Sequence, residues 1–240
     1  MEVFLQPEAW IALFTLTILE IVLGIDNIIF ISIISNKLPK EQQPKARMIG
    51  LSLALIVRVI MLLGISWLIG LTDPLFSLFG IDFSGRNLIL LAGGLFLLAK
   101  STTEIHAKVN QLEHELKPTK ARDAFASIIF QIVLLDIVFS FDSILTAIGM
   151  SNDLLVMVVA VVIAMIIMMI FAGRISAFIN DQPTLQILAL SFLILIGFML
   201  IVEGLPLQEI HVPKGYIYFA VFFSLTVEAL NMRMRRKKKG

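Results

Sequence analysis

Seven long runs of apolar residues restrict what this chain can fold into more than any other feature. A helix needs about 20 apolar residues to cross the hydrocarbon of a bilayer, and these runs lack the alternation of barrel strands. Of 240 residues, 58% are hydrophobic and 15% charged. The sequence therefore predicts an all-α, polytopic membrane protein in one transmembrane domain, residues 1–240. The runs cover roughly residues 10–34, 48–71, 88–103, 124–150, 154–173, 185–202 and 212–230.

Composition also excludes several kinds of site. There are no cysteines, which excludes disulfides, thiolate metal sites and cysteine nucleophiles. Glu2 and Glu8 stand where a secretory signal would have basic residues, so we expect the first run to be a span of the mature protein. The apolar runs contain no histidine or HExxH pattern, and we predict neither an enzyme nor a prosthetic group. A net charge of +1 gives no reason to expect a nucleic-acid partner.

The distribution of basic residues predicts an orientation. If the N-terminus lies outside, 16 of the 19 Lys and Arg residues fall in the inner loops and the tail. Arg86 and Lys214 remain outside, and Arg58 lies within a span. Such asymmetry is the positive-inside pattern. The third run, residues 88–103, is the weakest of the seven, but leaving it out would distribute the basic residues over both sides of the membrane. We predict seven spans with the N-terminus out and the C-terminus in, ending in a basic cytoplasmic tail over 233–240.

Two stretches of the chain resemble each other. Residues 19–28 (LEIVLGIDNI) match residues 135–144 (LDIVFSFDSI) at an offset of 116, with acid on acid twice. Residues 94–100 match 197–203 at an offset of 103. Three spans in each half would give the halves opposite orientations. We therefore predict a 3+3 inverted repeat, over about 9–107 and 123–204, followed by a seventh helix at about 212–231. Inverted repeats place substrate sites near the midplane.

Four carboxylates lie deep inside these spans: Glu20, Asp26, Asp136 and Asp142. An ionised carboxylate at the bilayer centre costs about 2.5–3.5 kcal/mol even on lenient scales. They must therefore be protonated, paired or exposed to a polar cavity. The alternatives are a hydrogen-bonded network of neutral acids that serves packing, and a site that handles ions. Burying four such groups has a free-energy cost that a packing role alone would rarely justify, so the ion site is favoured.

Helical geometry groups these residues. Glu20, Gly24 and Asn27 fall on one helix face, as do Asp136, Ser140 and Ser143 in the second half. The other two acids, Asp26 and Asp142, point about 120° away from these faces. We expect a local helix break near Gly24 or Ser140 to let both acids of each helix converge. Carboxylate, amide and hydroxyl oxygens suit hard divalent cations such as Mg²⁺, Ca²⁺ or Mn²⁺. We predict a metal site formed by Glu20, Asp26, Asn27, Asp136, Asp142 and Ser143.

Other charged residues have simpler explanations. Arg58 is the one cation placed mid-span, and a structural ion pair and a gating role are weighed equally for it. Lys100 and Glu203, at span ends, are expected to reach the interface. The segment Glu113-His114-Glu115 could bind metal weakly, although a solvated face is the simpler interpretation.

The paired motifs Glu20-x3-Gly24-x-Asp26-Asn27 and Asp136-x3-Ser140-x-Asp142-Ser143 resemble those of the TerC family of integral membrane proteins. The resemblance extends over nearly the whole chain and is closest to short bacterial inner-membrane members that lack CBS domains. It implies export of manganese or a related divalent cation, and kinship with the LysE-type exporter superfamily. The family's association with tellurium resistance does not transfer from sequence.

The residues and the resemblance together predict a divalent cation exporter of the bacterial inner membrane that prefers Mn²⁺, with Ca²⁺ or another divalent ion as alternatives. Two other functions stay open. One is export of a small organic solute such as an amino acid, with Arg58 as counter-charge. The other is a membrane scaffold that assists metal loading or folding of exported proteins. The expected partners are the lipid bilayer and the cation, and a homo-oligomer is compatible with the sequence.

Overall fold

A computed structural model of the chain describes residues 2–78, 80–110, 121–150, 153–206 and 215–237. In these ranges the protein is almost entirely helical. Its helices are α1 (Pro7–Ser35), α2 (Gln43–Leu63), α3 (Ile65–Gly70), α4 (Gly85–Val109), α5 (Ala121–Met150), α6 (Leu154–Asn180), α7 (Pro183–Gly204) and α8 (Gly215–Lys237). Two short strands, β1 (Pro74–Leu78) and β2 (Ile81–Ser84), lie between α3 and α4, and a 3₁₀ turn at Glu2–Leu5 precedes α1.

Local sequence signals fix several helix starts. Pro7 and Pro183 occupy the first turns of α1 and α7, where a missing backbone N–H costs nothing. The Asp153 carboxylate accepts a hydrogen bond from the Leu155 backbone N–H at 3.0 Å at the start of α6. Ser84 and Asn87 form a reciprocal capping box at the start of α4. These caps satisfy backbone N–H groups that a helix end leaves unpaired.

The segment between α2 and α4 differs from the predicted loop. The second apolar run ends as two helices, because α2 stops at Gly64 and the six-residue α3 follows. β1 and β2 then pair in a two-stranded sheet connected through Gly80, whose φ of 78° favours glycine. The Phe76 and Phe83 rings stack with centroids 5.4 Å apart. The sequence analysis did not predict this hairpin.

The helices form two compact units, and α1, α2, α3, α5 and α6 belong to the first. Within this unit α1 packs on α6 and α2 packs on α5. Gly24 faces Met168, and Asn36 pairs with Asn180, so α1 and α6 run parallel. Likewise Gly50 faces Ile132 while Arg58 contacts Asp136, so α2 and α5 run parallel.

The parallel contact of α2 and α5 bears on the number of crossings. Two parallel spans must be separated by an odd number of crossings, and α4 is the long apolar helix between them in the chain. In the described residues, seven helices are long and apolar enough to cross a membrane. The seven predicted spans, including the weak third one, are therefore confirmed.

The second unit contains α4, α7 and α8. A Cβ atom added to Gly94 would lie 2.6 Å from the Gly197 carbonyl oxygen, and one added to Gly197 would lie 3.0 Å from that of Gly94. Only glycine allows the backbones of α4 and α7 to approach this closely. At Gly204 a Cβ would lie 2.8 Å from the backbone nitrogen of Leu91. The two helices are thus antiparallel and in backbone contact. α8 packs against α7.

Apolar side chains cover the outer surface of α1, while polar ones lie within. Trp10, Phe14 and Ile18, spaced four residues apart, are 57%, 68% and 45% exposed. Glu20 and Asn27 are 2% and 7% exposed. This arrangement suits a lipid environment, where ionisable residues face the protein interior.

Candidate functional site

A cluster of buried charges lies at the centre of the first unit. α1 contributes Glu20, α2 contributes Arg58 and α5 contributes Asp136, and the three residues are only 2%, 3% and 5% exposed. Arg58 is the only buried Lys or Arg among the side chains that the structure describes. Three helices that are distant in the chain therefore meet at one ionic cluster.

The Arg58 guanidinium binds both carboxylates. Its Nη1 donates to Glu20 Oε2 at 2.6 Å, and its Nη2 donates to Asp136 Oδ1 at 2.7 Å. Its Nε donates to both Asp136 oxygens, at 3.1 and 3.2 Å. This fork geometry is specific to arginine, because a lysine ammonium is a single point charge. When all three groups are ionised, two carboxylates and one guanidinium leave a formal charge of −1.

Neutral polar groups complete the cluster. Asn27 Nδ2 on α1 donates to Asp136 Oδ1 on α5 at 3.3 Å, and Ser140 Oγ donates to Asp136 Oδ2 at 3.2 Å. Ser143 on α5 donates its hydroxyl to the Ser140 carbonyl oxygen at 3.3 Å and lies beside Glu20 on α1. Asn27 and Ser143 occupy equivalent positions of the predicted repeat, as do Glu20 and Asp136. Each half therefore places a neutral polar group beside the acid of the other half.

A small, mostly apolar cavity adjoins the cluster at Glu20. It has room for about one water molecule, and Glu20 is the one charged residue among the described residues that line it. The other described lining residues are apolar. Its other lining residues are Leu16, Leu62, Ile144, Ala147, Met157, Ala160 and Val161.

The structure brings together four of the six predicted ligands: Glu20, Asn27, Asp136 and Ser143. Asp26 lies in α1 and Asp142 in α5, but their side chains lie outside the described residues. In the part of the chain that the structure describes, no group of three His, Asp or Glu residues could hold a metal ion. The predicted set of six therefore stays a prediction.

The expected helix breaks are absent, and that prediction is wrong. α1 is continuous from Pro7 to Ser35 and α5 from Ala121 to Met150, which includes Gly24 and Ser140. An unpaired backbone group costs several kcal/mol in an apolar environment, so continuous helices are the less costly state. Gly24 serves packing instead, since an added Cβ would collide with the thioether of Met168.

The sequence analysis weighed Arg58 as an ion-pair partner of one acid, whereas the structure pairs it with two. The signal was present in the sequence, because a mid-span arginine must be paired in the membrane. Sequence could not identify which acids it meets. Lys100 pairs within its own helix with Glu104 at 3.1 Å, and Arg86 lies 4.0 Å from Glu203. Glu113-His114-Glu115 lies outside the described residues.

Comparisons with known proteins place this arrangement in a family. A family profile described as "Integral membrane protein TerC family" matches residues 5–239. The chain is 51% identical over 234 residues to a UPF0053 protein of Haemophilus influenzae, with 98% of each chain covered. It is 52% identical over 233 residues to the UPF0053 inner membrane protein YgdQ of Escherichia coli, covering 97% of this chain and 96% of YgdQ.

A longer relative is also similar. The chain is 48% identical over 236 residues to the UPF0053 inner membrane protein YoaE of Escherichia coli, covering 98% of this chain but 45% of YoaE. The similarity is therefore to less than half of that protein. No solved structure gives a significant match.

Proposed function

This chain belongs to the integral membrane protein TerC family, and from that premise we propose that it exports a divalent metal cation, preferentially Mn²⁺. It is a multi-pass inner membrane protein with seven candidate spans. The observation that carries the proposal is a buried cluster in which two carboxyl groups share one guanidinium, so that full ionisation leaves one negative charge in excess. A cluster built only for stability would be expected to neutralise itself, because an uncompensated buried charge costs several kcal/mol.

The chemistry of the available donors supports a hard cation as substrate. Glu20, Asp136, Asn27 and Ser143 present oxygen atoms in one buried place. Mn²⁺, Mg²⁺ and Ca²⁺ prefer such ligands, whereas Cu⁺ prefers sulfur. The proposal adds Asp26 and Asp142, which follow Glu20 and Asp136 by six residues, or about one and two-thirds turns, along α1 and α5. With them the site would carry enough negative charge to favour a divalent over a monovalent ion.

The pattern of contacts supports the inverted repeat on which the proposal depends. Exchanging the two halves of the chain maps the α1–α6 contact onto the α5–α2 contact, and both are present in the first unit. In the second unit Gly94 and Gly197, at equivalent repeat positions, contact each other reciprocally. We propose that these contacts follow a two-fold axis in the membrane plane. An N-out, C-in orientation completes the proposed topology.

The geometry favours metal export over the two alternatives. An exporter of amino acids would need Arg58 to bind a substrate carboxylate, but the cluster already holds two carboxyl groups for this one guanidinium, so a substrate carboxylate would add a third acid. The described cavity beside Glu20 has room for about one water molecule, which suits a small ion better than an organic solute. A scaffold would have no use for buried charged groups where three helices meet.

The test is export of several metals from proteoliposomes that contain the purified chain. Vesicles loaded with Mn²⁺, Ca²⁺, Mg²⁺ or Zn²⁺ are compared, and Mn²⁺ should leave fastest. Asp26→Asn and Asp142→Asn should each abolish export, since each removes a hard anionic ligand. Glu20→Gln and Asp136→Asn should act in the same direction but less severely.

Glu203→Gln is the matched control, because Glu203 lies in the second unit and is 15% exposed. It should export as wild type does. Yield and far-UV circular dichroism of each variant separate loss of transport from loss of folding. If all four neutral variants exported Mn²⁺ at the wild-type rate, metal export would be refuted.

A further inference from the structure

Arg58 occupies the same carboxylate oxygens that a transported cation would need. Its five potential N–H donors are directed by a rigid fork, and four of its hydrogen bonds end on Glu20 or Asp136. A metal ion that binds Glu20 Oε2 or Asp136 Oδ1 must therefore displace part of this network. Arginine and metal are competitors at one site.

Removal of the metal creates an electrostatic problem inside the membrane. A carrier that has released its ion must close around Glu20 and Asp136 before it can return. Two buried carboxylates without a cation repel each other and lose hydration, which costs several kcal/mol for each charge. A cation fixed to the protein at that place would remove most of the cost. Arg58 is 3% exposed and touches both acids, so it is placed to supply that charge.

We propose that Arg58 is a tethered counter-cation that replaces the metal in the unloaded site and so permits the return step of the transport cycle. This inference rests on the proposed export function and adds a positioning residue to it. Metal binding releases the guanidinium from one or both acids, and metal departure restores the observed pairs. Arg58 therefore lowers metal affinity while it accelerates net transport.

If Arg58 has this role, its removal should strengthen Mn²⁺ binding but slow net export. An arginine that only holds helices together (a structural tie) would not have these opposite effects. A neighbouring cation changes the proton affinity of a carboxylate by about one to three orders of magnitude, and the same field acts on a metal ion. Arg58→Gln should therefore bind Mn²⁺ about tenfold more tightly or more. Its net export should fall by a similar factor, because the unloaded site no longer has a counter-charge.

Exchange transport isolates the return step. When Mn²⁺ is present on both sides, the carrier crosses loaded in both directions and needs no unloaded return. We expect Arg58→Gln to retain exchange of labelled internal Mn²⁺ within about twofold of wild type while net export is lost. Arg86→Gln is the matched control, because this arginine lies in the second unit and is 28% exposed. It should leave binding, exchange and net export unchanged.

Arg58→Lys is a second variant that keeps the inference testable if Arg58→Gln misfolds. Lysine keeps the charge but not the fork, so it can hold one acid at a time and should slow net export more than exchange. Mn²⁺ binding is read on the purified chain as a thermal shift, which should be larger for Arg58→Gln than for wild type.

The outcomes separate the inference from the function. If wild type exchanges Mn²⁺ but Arg58→Gln and Arg58→Lys lower exchange and net export in equal proportion, Arg58 is a structural tie and the inference is overturned. Unchanged Mn²⁺ affinity in a folded Arg58→Gln variant would overturn it as well. If wild type neither binds nor exchanges any divalent cation, the export function itself fails.

Discussion

The two units of this protein hold their helices together by different means. In the first unit, Glu20, Arg58 and Asp136 join three helices through buried ionic hydrogen bonds. In the second unit, Gly94 and Gly197 bring α4 and α7 into backbone contact. The ionic cluster of the first unit is polar and directional, whereas the glycine contact of the second unit is apolar and depends on shape.

The difference reflects the solvent in which the helices associate. In lipid the hydrophobic effect does not drive helices together, so close packing of small residues and interhelical hydrogen bonds must do so. Close packing of glycines costs little free energy and brings no charged group into the membrane. The ionic cluster is costly, and it occurs in the unit that contains the repeated acidic motifs. Under the proposed export function, the first unit would bind the ion and the second would serve as a support.

The largest effect on stability is expected from Arg58→Leu. Removing one partner of a buried ion pair leaves uncompensated charge and costs about 3–5 kcal/mol. Arg86→Leu removes a partly exposed pair with a separation of 4.0 Å, and should cost roughly 0–1 kcal/mol. Unfolding of both variants in mixed micelles, followed by circular dichroism, measures the difference. Equal losses would mean that the two units do not differ in the way described.

An intermediate effect is expected where α4 meets α7. Gly94→Ala places a Cβ against backbone atoms of Gly197 and Ile201, which cannot move aside independently, and should cost about 1–3 kcal/mol. Gly24→Ala meets only the flexible thioether of Met168, so its cost should be smaller.

Gly173 in α6 is the control for this series, because nothing lies within 4 Å of an added Cβ there. Gly173→Ala should stabilise the helix by up to about 1 kcal/mol. The same unfolding assay should rank the three variants as Gly94, Gly24 and Gly173, from most to least destabilised. A Gly94→Ala variant as stable as Gly173→Ala would refute the role assigned to backbone contact.

The smallest energetic effect is expected from single cysteines in the connecting segments, used to test the inverted topology. The chain has no native cysteine, and exposed substitutions usually change stability by less than about 0.5 kcal/mol. Lys45→Cys and Lys117→Cys should react with a membrane-impermeant thiol reagent only from the cytoplasmic side. Asp82→Cys should react only from the outside. Labelling of Lys117→Cys from outside would exclude opposite orientations of the two halves.

Much of the fold was predictable because membrane insertion depends on composition. The seven spans follow from apolar length, and even the weak third run forms a helix, Gly85–Val109. Burial of Glu20 and Asp136 was predictable because lipid excludes charge. Helical spacing also placed Glu20 and Asn27 on one face of α1, and Asp136 and Ser143 on one face of α5, and all four side chains are buried.

Other features could not be predicted from local patterns. The break at Gly64 interrupts a run that composition alone would make one helix, and the hairpin after α3 lies in a segment expected to be a connecting loop. The sequence analysis expected a break at Gly24, but α1 is continuous there. The expectation was wrong because a glycine is compatible both with close helix packing and with a flexible backbone. Only the position of Met168 on α6 decides between the two uses.

The sequence by itself determined that this chain spans the membrane seven times and that its two motifs carry acids inward, because the cost of charge in lipid acts on each residue separately. The tertiary structure decided which partners those acids have. Arg58 reaches across 38 residues to Glu20 and 78 residues to Asp136, and no sequence spacing encodes such contacts. Helix packing alone, through the parallel α2 and α5, brings one guanidinium within hydrogen-bond distance of an acid from each of the two motifs.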